Sequence, residues 1–275
     1  MPNPQNIHRP ITMISHGRSG TSLAMNILGQ HPDVLACGET APMLFGTWHA
    51  MEKERGIIRP DPERPPGDHD ARCAKAVRAV FLATFPDGDS AAAEWMHKPI
   101  NIPWVMNHLP GLKDWDEKAG WYWRVLHGSF PGSRNITILR HPYDVVLSAA
   151  EYWGAPHGKT WEQLVRMARV LIHPESDVGL GLSHARLVED RDAEVARLLD
   201  HLGLPHHPSC FRATGKVYVP RRNESRIAKA DEPELVSRGF SRRDQWAGID
   251  MAGFTRADRD ILAAMWSRFG ETLDF

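Results

Sequence analysis

The sequence predicts an α/β domain with a mainly parallel central sheet flanked by helices. Three observations predict it. Short apolar runs alternate with amphipathic helical patterns along most of the chain, the runs near 11–14 and 136–139 each pass through a brief loop into a helix, and no internal repeat or low-complexity tract interrupts them. A length of 275 residues fits one large domain or two small ones, and a single domain spanning 1–275 is the expectation here. The formal net charge of −1 and a pI near 7.0 create no overall field for nucleic acid or an anionic membrane, so any anion site must be local. Cys37, Cys73 and Cys210 are odd in number and widely spaced, which favours reduced thiols over a disulfide framework or a zinc site. No apolar run reaches the length of a membrane span, and MPNPQNIHRP lacks the apolar core of a signal peptide, so a cytoplasmic protein is expected.

The chain is organised around 11–28, ITMISHGRSGTSLAMNIL, which reads as strand, anion-binding loop and helix. Ile11, Met13 and Ile14 make the strand, and His16, Gly17, Arg18, Ser19 and Gly20 the loop. Thr21 and Ser22 fall in the first helical turn, where unsatisfied N–H groups and the helix dipole favour an oxyanion. The loop lacks the G-K-[ST] ending of a Walker A sequence, and its cation is Arg18, two residues before Gly20. A Gly turn capped by Thr21 is the plain structural alternative.

A short strand at 34–37 leads to Glu39, just beyond its end, where ligand groups gather in parallel sheets. Glu39 is a candidate base or a solvated loop carboxylate. The Pro-rich, charged stretch 51–70 reads as a loop, either a lid or disordered, and a packing helix follows over about 72–83. A strand then ends at Lys98, where Pro99 excludes helical geometry. Trp95, Trp104, Trp115, Trp121 and Trp123 line an acceptor cleft or pack a helical region.

The second informative block is 135–153, NITILRHPYDVVLSAAEYW. Its strand ends at Arg140, Pro142 suits the first position of a helix, and Ser148 follows about two turns along, so guanidinium and hydroxyl can serve one phosphate. An ordinary strand-end salt bridge is the alternative for Arg140. Downstream, 178–183 reads as a strand and 190–202 as a helix closed by Gly203. The stretch 216–246 is rich in Arg, and Ile261, Leu262, Met265, Trp266 and Phe269 form a last amphipathic pattern expected to pack on the sheet.

RSGTS, Arg18 to Ser22, resembles the 5′-phosphosulfate loop [KR]-S-G-T-[ST] of sulfotransferases, which use 3′-phosphoadenosine 5′-phosphosulfate (PAPS). Arg140, Pro142 and Ser148, with Asp144 among them, resemble the family's 3′-phosphate motif. HPDVLACGE and HKP are similar to segments of the tyrosylprotein and carbohydrate enzymes. Leu187 and HLGL resemble the Y-E-D-L…FLGL segment, although His184, Ala185 and Arg186 replace Tyr, Glu and Asp. SRGFSRRDQW, with Arg238 and Trp246, has the character of the family's basic nucleotide-covering segment. The resemblance implies a P-loop-type three-layer domain, with 40–130 as the variable acceptor side. It implies transfer of a sulfuryl group from PAPS to a hydroxyl of a small molecule or carbohydrate, leaving PAP and requiring no metal. Nucleotide contacts fall to Arg18, Ser19, Gly20, Thr21, Ser22, Arg140, Ser148, His184, Arg238 and Trp246. Catalytic roles fall to Arg18, Lys98 and Glu39. Cytosolic-type members use a His after their Lys, but Pro99 and Ile100 stand there and His97 precedes Lys98, which leaves Glu39 better placed as the base. The rivals are a P-loop phosphotransferase using ATP and a non-catalytic nucleotide-binding protein of the same fold.

Overall fold

Among the described residues, five parallel strands carry the fold. The computed structural model describes residues 4–54, 67–84, 94–100, 106–107, 112–212 and 243–275. Among these, β1 (Ile11–Met13), β2 (Val34–Glu39), β3 (Glu94–Lys98), β4 (Arg134–Leu139) and β5 (Leu180–Ser183) lie in the order β2-β3-β1-β4-β5, every neighbouring pair parallel. The chain leaves β1 toward β2 on one side and leaves β4 toward β5 on the other. The topological switch, where parallel sheets open a crevice at their carboxyl edge, therefore lies between β1 and β4.

Alternation along the strands sends side chains into two cores. Trp95 joins Trp48, Phe81, Trp123 and Phe130, from α2 (Thr47–Glu54), α3 (Gly67–Thr84), α4 (Trp115–Ser129) and the turn after α4. Met96 joins Ile11, Leu28, Ile136 and Leu198 on the opposite face, which α1 (Thr21–Gly29) and α8 (Arg191–Leu202) cover. A third cluster, with Tyr143, Trp161 and Leu262, unites α5 (Pro142–Trp153), α6 (His157–Ile172) and α10 (Arg256–Ser267). Short helices α7 (His184–Glu189) and α9 (Pro208–Phe211) complete the second face.

Several expected boundaries move. β2 runs on through Glu39, residues 51–54 and 67–70 of the expected loop are helical, and 55–66 lie outside the described residues. The last helix packs chiefly on α6 rather than on the sheet, its Leu262 joining Trp161, Leu164, Val165 and Ala168 of α6 in one apolar cluster. Three of the tryptophans pack. Trp95, Trp121 and Trp123 are buried, and their indole N–H groups donate to the Asn6 carbonyl at 3.0 Å, the Glu52 carboxylate at 2.8 Å and the Val170 carbonyl at 2.7 Å. Trp104 lies outside the described residues.

The β5–α7 turn is fixed by one buried carboxylate. Glu194 accepts the Ser183 N–H at 2.8 Å, two bonds from Arg197 at 2.6 and 3.0 Å, and one from Arg186 at 3.3 Å. Burial alone would raise its pKa, but the Arg197 bonds, the Ser183 N–H and the charges of Arg197 and Arg186 together hold it below the usual value. A lowered folded-state pKa stabilises above the unfolded value and is lost as pH falls through the folded one. Glu194→Gln should therefore lower unfolding stability at pH 7 by about 2 kcal/mol, less than a fully buried pair because the guanidinium side chains are 43% and 39% exposed. Urea titrations of both proteins should show that gap narrowing below roughly pH 4.

Candidate active site

The loop between β1 and α1 starts by extending the sheet. The Ile14 N–H donates to the Ile136 carbonyl at 2.8 Å, and the Ser15 hydroxyl to the Ile138 carbonyl at 2.9 Å. The chain then turns through Gly17 to Gly20, closed by the Ser19 N–H on the His16 carbonyl at 3.3 Å. Gly20 has φ +106° and sits at the N-cap of α1, packed against the His184 ring so closely that a Cβ would collide with it. Gly17 lies under Trp153, whose ring would be 2.7 Å from an added Cβ. With no side chain at the N-cap, the first helical N–H groups are not taken up by a capping side chain.

Arg18 occupies the left-handed region at φ +70°, which costs a residue with a Cβ about 1–2 kcal/mol. Its carbonyl accepts a bond from Arg140 Nη1 at 2.9 Å, which holds that conformation. The Arg18 side chain runs along α5, with Nε 3.3 Å from the Ser148 hydroxyl and the guanidinium 4.1 Å from the Tyr152 ring centroid. Arg18, Arg140 and Ser148, drawn from motifs more than a hundred residues apart, thus meet in one place. Pro142 opens α5 with His141 as its cap, so Arg140 is delivered at the strand end.

Glu39 and Lys98 pair in register at the ends of β2 and β3, with Nζ and Oε1 3.7 Å apart. The strand register shifts between Ala36 and Glu39, and Gly38, at φ +76°, makes that irregularity possible. Glu39 is half exposed, whereas Lys98 is buried. Burial pulls the Lys98 pKa down, Glu39 opposes that, and the Arg18 charge adds to the lowering, which places Arg18, Lys98 and Glu39 in one field. His97 lies on the other side of the strand, fully buried, and burial holds its pKa near 3. It has no exposed surface with which to meet an acceptor.

His184 begins α7 after the Ser183 cap and is buried against Gly20, its pKa pulled to about 3 by burial and then by Arg140. Trp246 stacks on His141 with centroids 4.1 Å apart and donates its indole N–H to Asp144 at 2.8 Å, so it covers the start of α5. Arg238 lies outside the described residues, as do Arg221, Arg222, Arg226 and Arg242. Sequence reasoning missed two features. His16 bonds the Gly17 carbonyl at 2.5 Å and lies 3.2 Å from the Gln163 side chain, tying the loop to α6. Tyr152 and Trp153 are exposed aromatics beside Arg18, and their place at the end of the Ser148 helix was the available signal. Among the described residues no cluster of His, Cys, Asp or Glu is arranged to hold a metal, and no helix is long and apolar enough to cross a membrane.

Known proteins share this architecture. The sulfotransferase domain of the Synechococcus PCC 7002 olefin synthase superposes with a TM-score of 0.56 at 16% identity, covering 97% of this chain and 96% of that one. The sulfotransferase domain of the curacin biosynthetic pathway gives 0.56 at 15% identity, covering 97% and 99%. At these identities the likeness shows the fold alone, an α/β domain with a parallel central sheet flanked by helices. In sequence, nodulation protein NoeE of Sinorhizobium fredii is 28% identical over 149 residues, 50% of this chain and 30% of NoeE, so the chain spans under a third of that relative's length. Residues 10–208 match the sulfotransferase family, and the chain accordingly belongs to that family.

Proposed function

We propose that the chain is a single PAPS-dependent sulfotransferase domain that transfers a sulfuryl group to a hydroxyl of a small molecule or carbohydrate, with 40–130 forming the acceptor side. The observation that carries this reading is the meeting of Arg18, Arg140 and Ser148 beside the open N-terminus of α1. Two cations, a hydroxyl and a glycine-built cradle suit a nucleotide with phosphate groups at both ends. Arg18, with Ser19, Gly20, Thr21 and Ser22, would hold the 5′ side, and Arg140 and Ser148 the 3′-phosphate. His184 and Trp246 flank that position, from under the loop and from over the start of α5. Free thiols at Cys37, Cys73 and Cys210 accord with a reducing, cytoplasmic setting.

When bound, PAPS supplies an activated sulfuryl group on a phosphate oxygen. Arg18 and Lys98 would hold that end of PAPS and supply the positive charge that stabilises its leaving oxygen. Glu39 takes the acceptor's proton, and its neighbour Lys98 holds the carboxylate in the same field. Half exposure leaves Glu39 open to an incoming hydroxyl, which the buried His97 is not.

Two measurements test the reading. Ser148→Ala should reduce the preference for PAP over AMP about tenfold in titration calorimetry, with AMP affinity retained. Arg140→Ala, which also removes the support of the Arg18 carbonyl, should weaken both ligands, and an unchanged PAP preference in both variants would overturn the 3′-phosphate assignment. Glu39→Gln should lower sulfuryl transfer from PAPS to a panel of methyl glycosides and simple alcohols by roughly 10²- to 10⁴-fold, with PAP affinity unchanged.

A further inference from the structure

A directed chain of hydrogen bonds crosses the sheet and ends beside Glu39. Thr12 of β1 faces Asn135 of β4 on one side and His97 of β3 on the other, all three fully or almost fully buried on one face. At the far end the Asn135 amide N–H donates to the Asp177 carbonyl at 2.6 Å, which leaves its Oδ1 to accept the Ser133 hydroxyl at 2.7 Å. Ser133 has one proton, and its other neighbour, the Pro10 carbonyl at 3.4 Å, is also only an acceptor. The 2.6 Å contact between Ser133 and Thr12 is therefore donated by Thr12. With the Thr12 proton used, the 2.8 Å bond to His97 must come from Nε2–H. His97 Nδ1 is then the acceptor, and it receives the Thr40 hydroxyl at 2.8 Å.

Thr40 is the residue after Glu39. Its backbone N–H is bound to the Lys98 carbonyl at 3.2 Å, so strand pairing and the side-chain bond hold the same residue. This grip falls immediately after the irregularity at Gly38, where a strand otherwise loses its register. The aromatic rings of Phe81, Trp95 and Phe130 surround His97 at 5.0–5.5 Å between centroids, and the Thr12 and Thr40 hydroxyls satisfy both of its nitrogens.

We infer that His97 and Thr40 are positioning residues: as a neutral Nε2–H imidazole, His97 fixes Thr40 and thereby aims the Glu39 carboxylate at Lys98 and the acceptor. The inference rests on the reading of Glu39 as the base. Thr40→Val keeps the shape and removes the donor, whereas Thr40→Ser keeps the hydroxyl. Crystal structures should show Glu39 moved out of reach of Lys98 Nζ in the Val variant and retained near 3.7 Å in the Ser variant. With PAPS and the same panel of acceptors, Thr40→Val should lower kcat about tenfold while KM for PAPS and PAP affinity stay unchanged, and Thr40→Ser should restore the rate. In the Glu39→Gln background the Val substitution should have no further effect. An unmoved Glu39 in the Val variant, or an equal loss in the Gln background, overturns the positioning role. A fully active Glu39→Gln with a displaced carboxylate in Thr40→Val sinks the base assignment instead and leaves the positioning in place. Nitrogen-15 NMR of the histidines in the unaltered protein gives a reading that needs no variant. His97 should show the neutral Nε2–H form, and the Nδ1–H form overturns the inference.

Discussion

The bond from the Arg140 guanidinium to the Arg18 carbonyl is the contact on which the site depends. It joins the end of β4 to the loop after β1, the two strands that flank the topological switch. Arg18 stands in a backbone conformation that a residue with a Cβ adopts only with support. That support comes from a group whose other obvious use is a phosphate. In the proposed function the same residue also serves the nucleotide, so a substitution at Arg140 acts first on the loop through the Arg18 carbonyl. Ser148 and Tyr152 then extend the arrangement along α5, so that one helix presents the partners of a loop that lies 130 residues earlier in the chain than Ser148.

Much of this was legible in the sequence because the informative segments carry their own geometry. Strand, loop and helix at 11–28 follow from an apolar run, two glycines and a helical pattern, and β4 with α5 follows from an apolar run and Pro142 at the helix start. Positions at strand ends were equally readable, which is why Glu39, Lys98 and Arg140 all lie at the carboxyl edge. What one chain could not reveal was lateral order. The adjacency of β1 to both β3 and β4 joins Thr12 to His97 and Asn135, and no local pattern encodes that pairing. Helix α6 was passed over although Trp161, Leu164, Val165, Ala168 and Leu171 recur at helical spacing. Missing it also misdirected the last helix, which lies on α6.

His97 shows how sequence adjacency misleads. A histidine next to a strand-end lysine invites a catalytic reading, yet consecutive strand residues point to opposite faces, and the face His97 shares with Trp95 is the larger aromatic core. Burial and two hydroxyl partners make its neutral form the stable one. Its neighbour keeps the site's charge. The sheet therefore separates neutral polar wiring inside from ionised groups at the edge, which keeps the cost of buried charge small.

The contact of Trp246 with Asp144 bears on where this protein can be cut. The region that matches the family stops at residue 208. Asp144, 4% exposed at the start of α5, takes the indole N–H of Trp246, while Tyr143 and Trp161 pack on Phe254 and Phe275. A recombinant fragment trimmed to the matched region would strip the cover from the helix that carries Ser148 and leave a near-buried carboxylate facing solvent. The unit for expression and crystallisation is accordingly longer than the matched region, because residues 243–275 pack on the helix that carries Ser148.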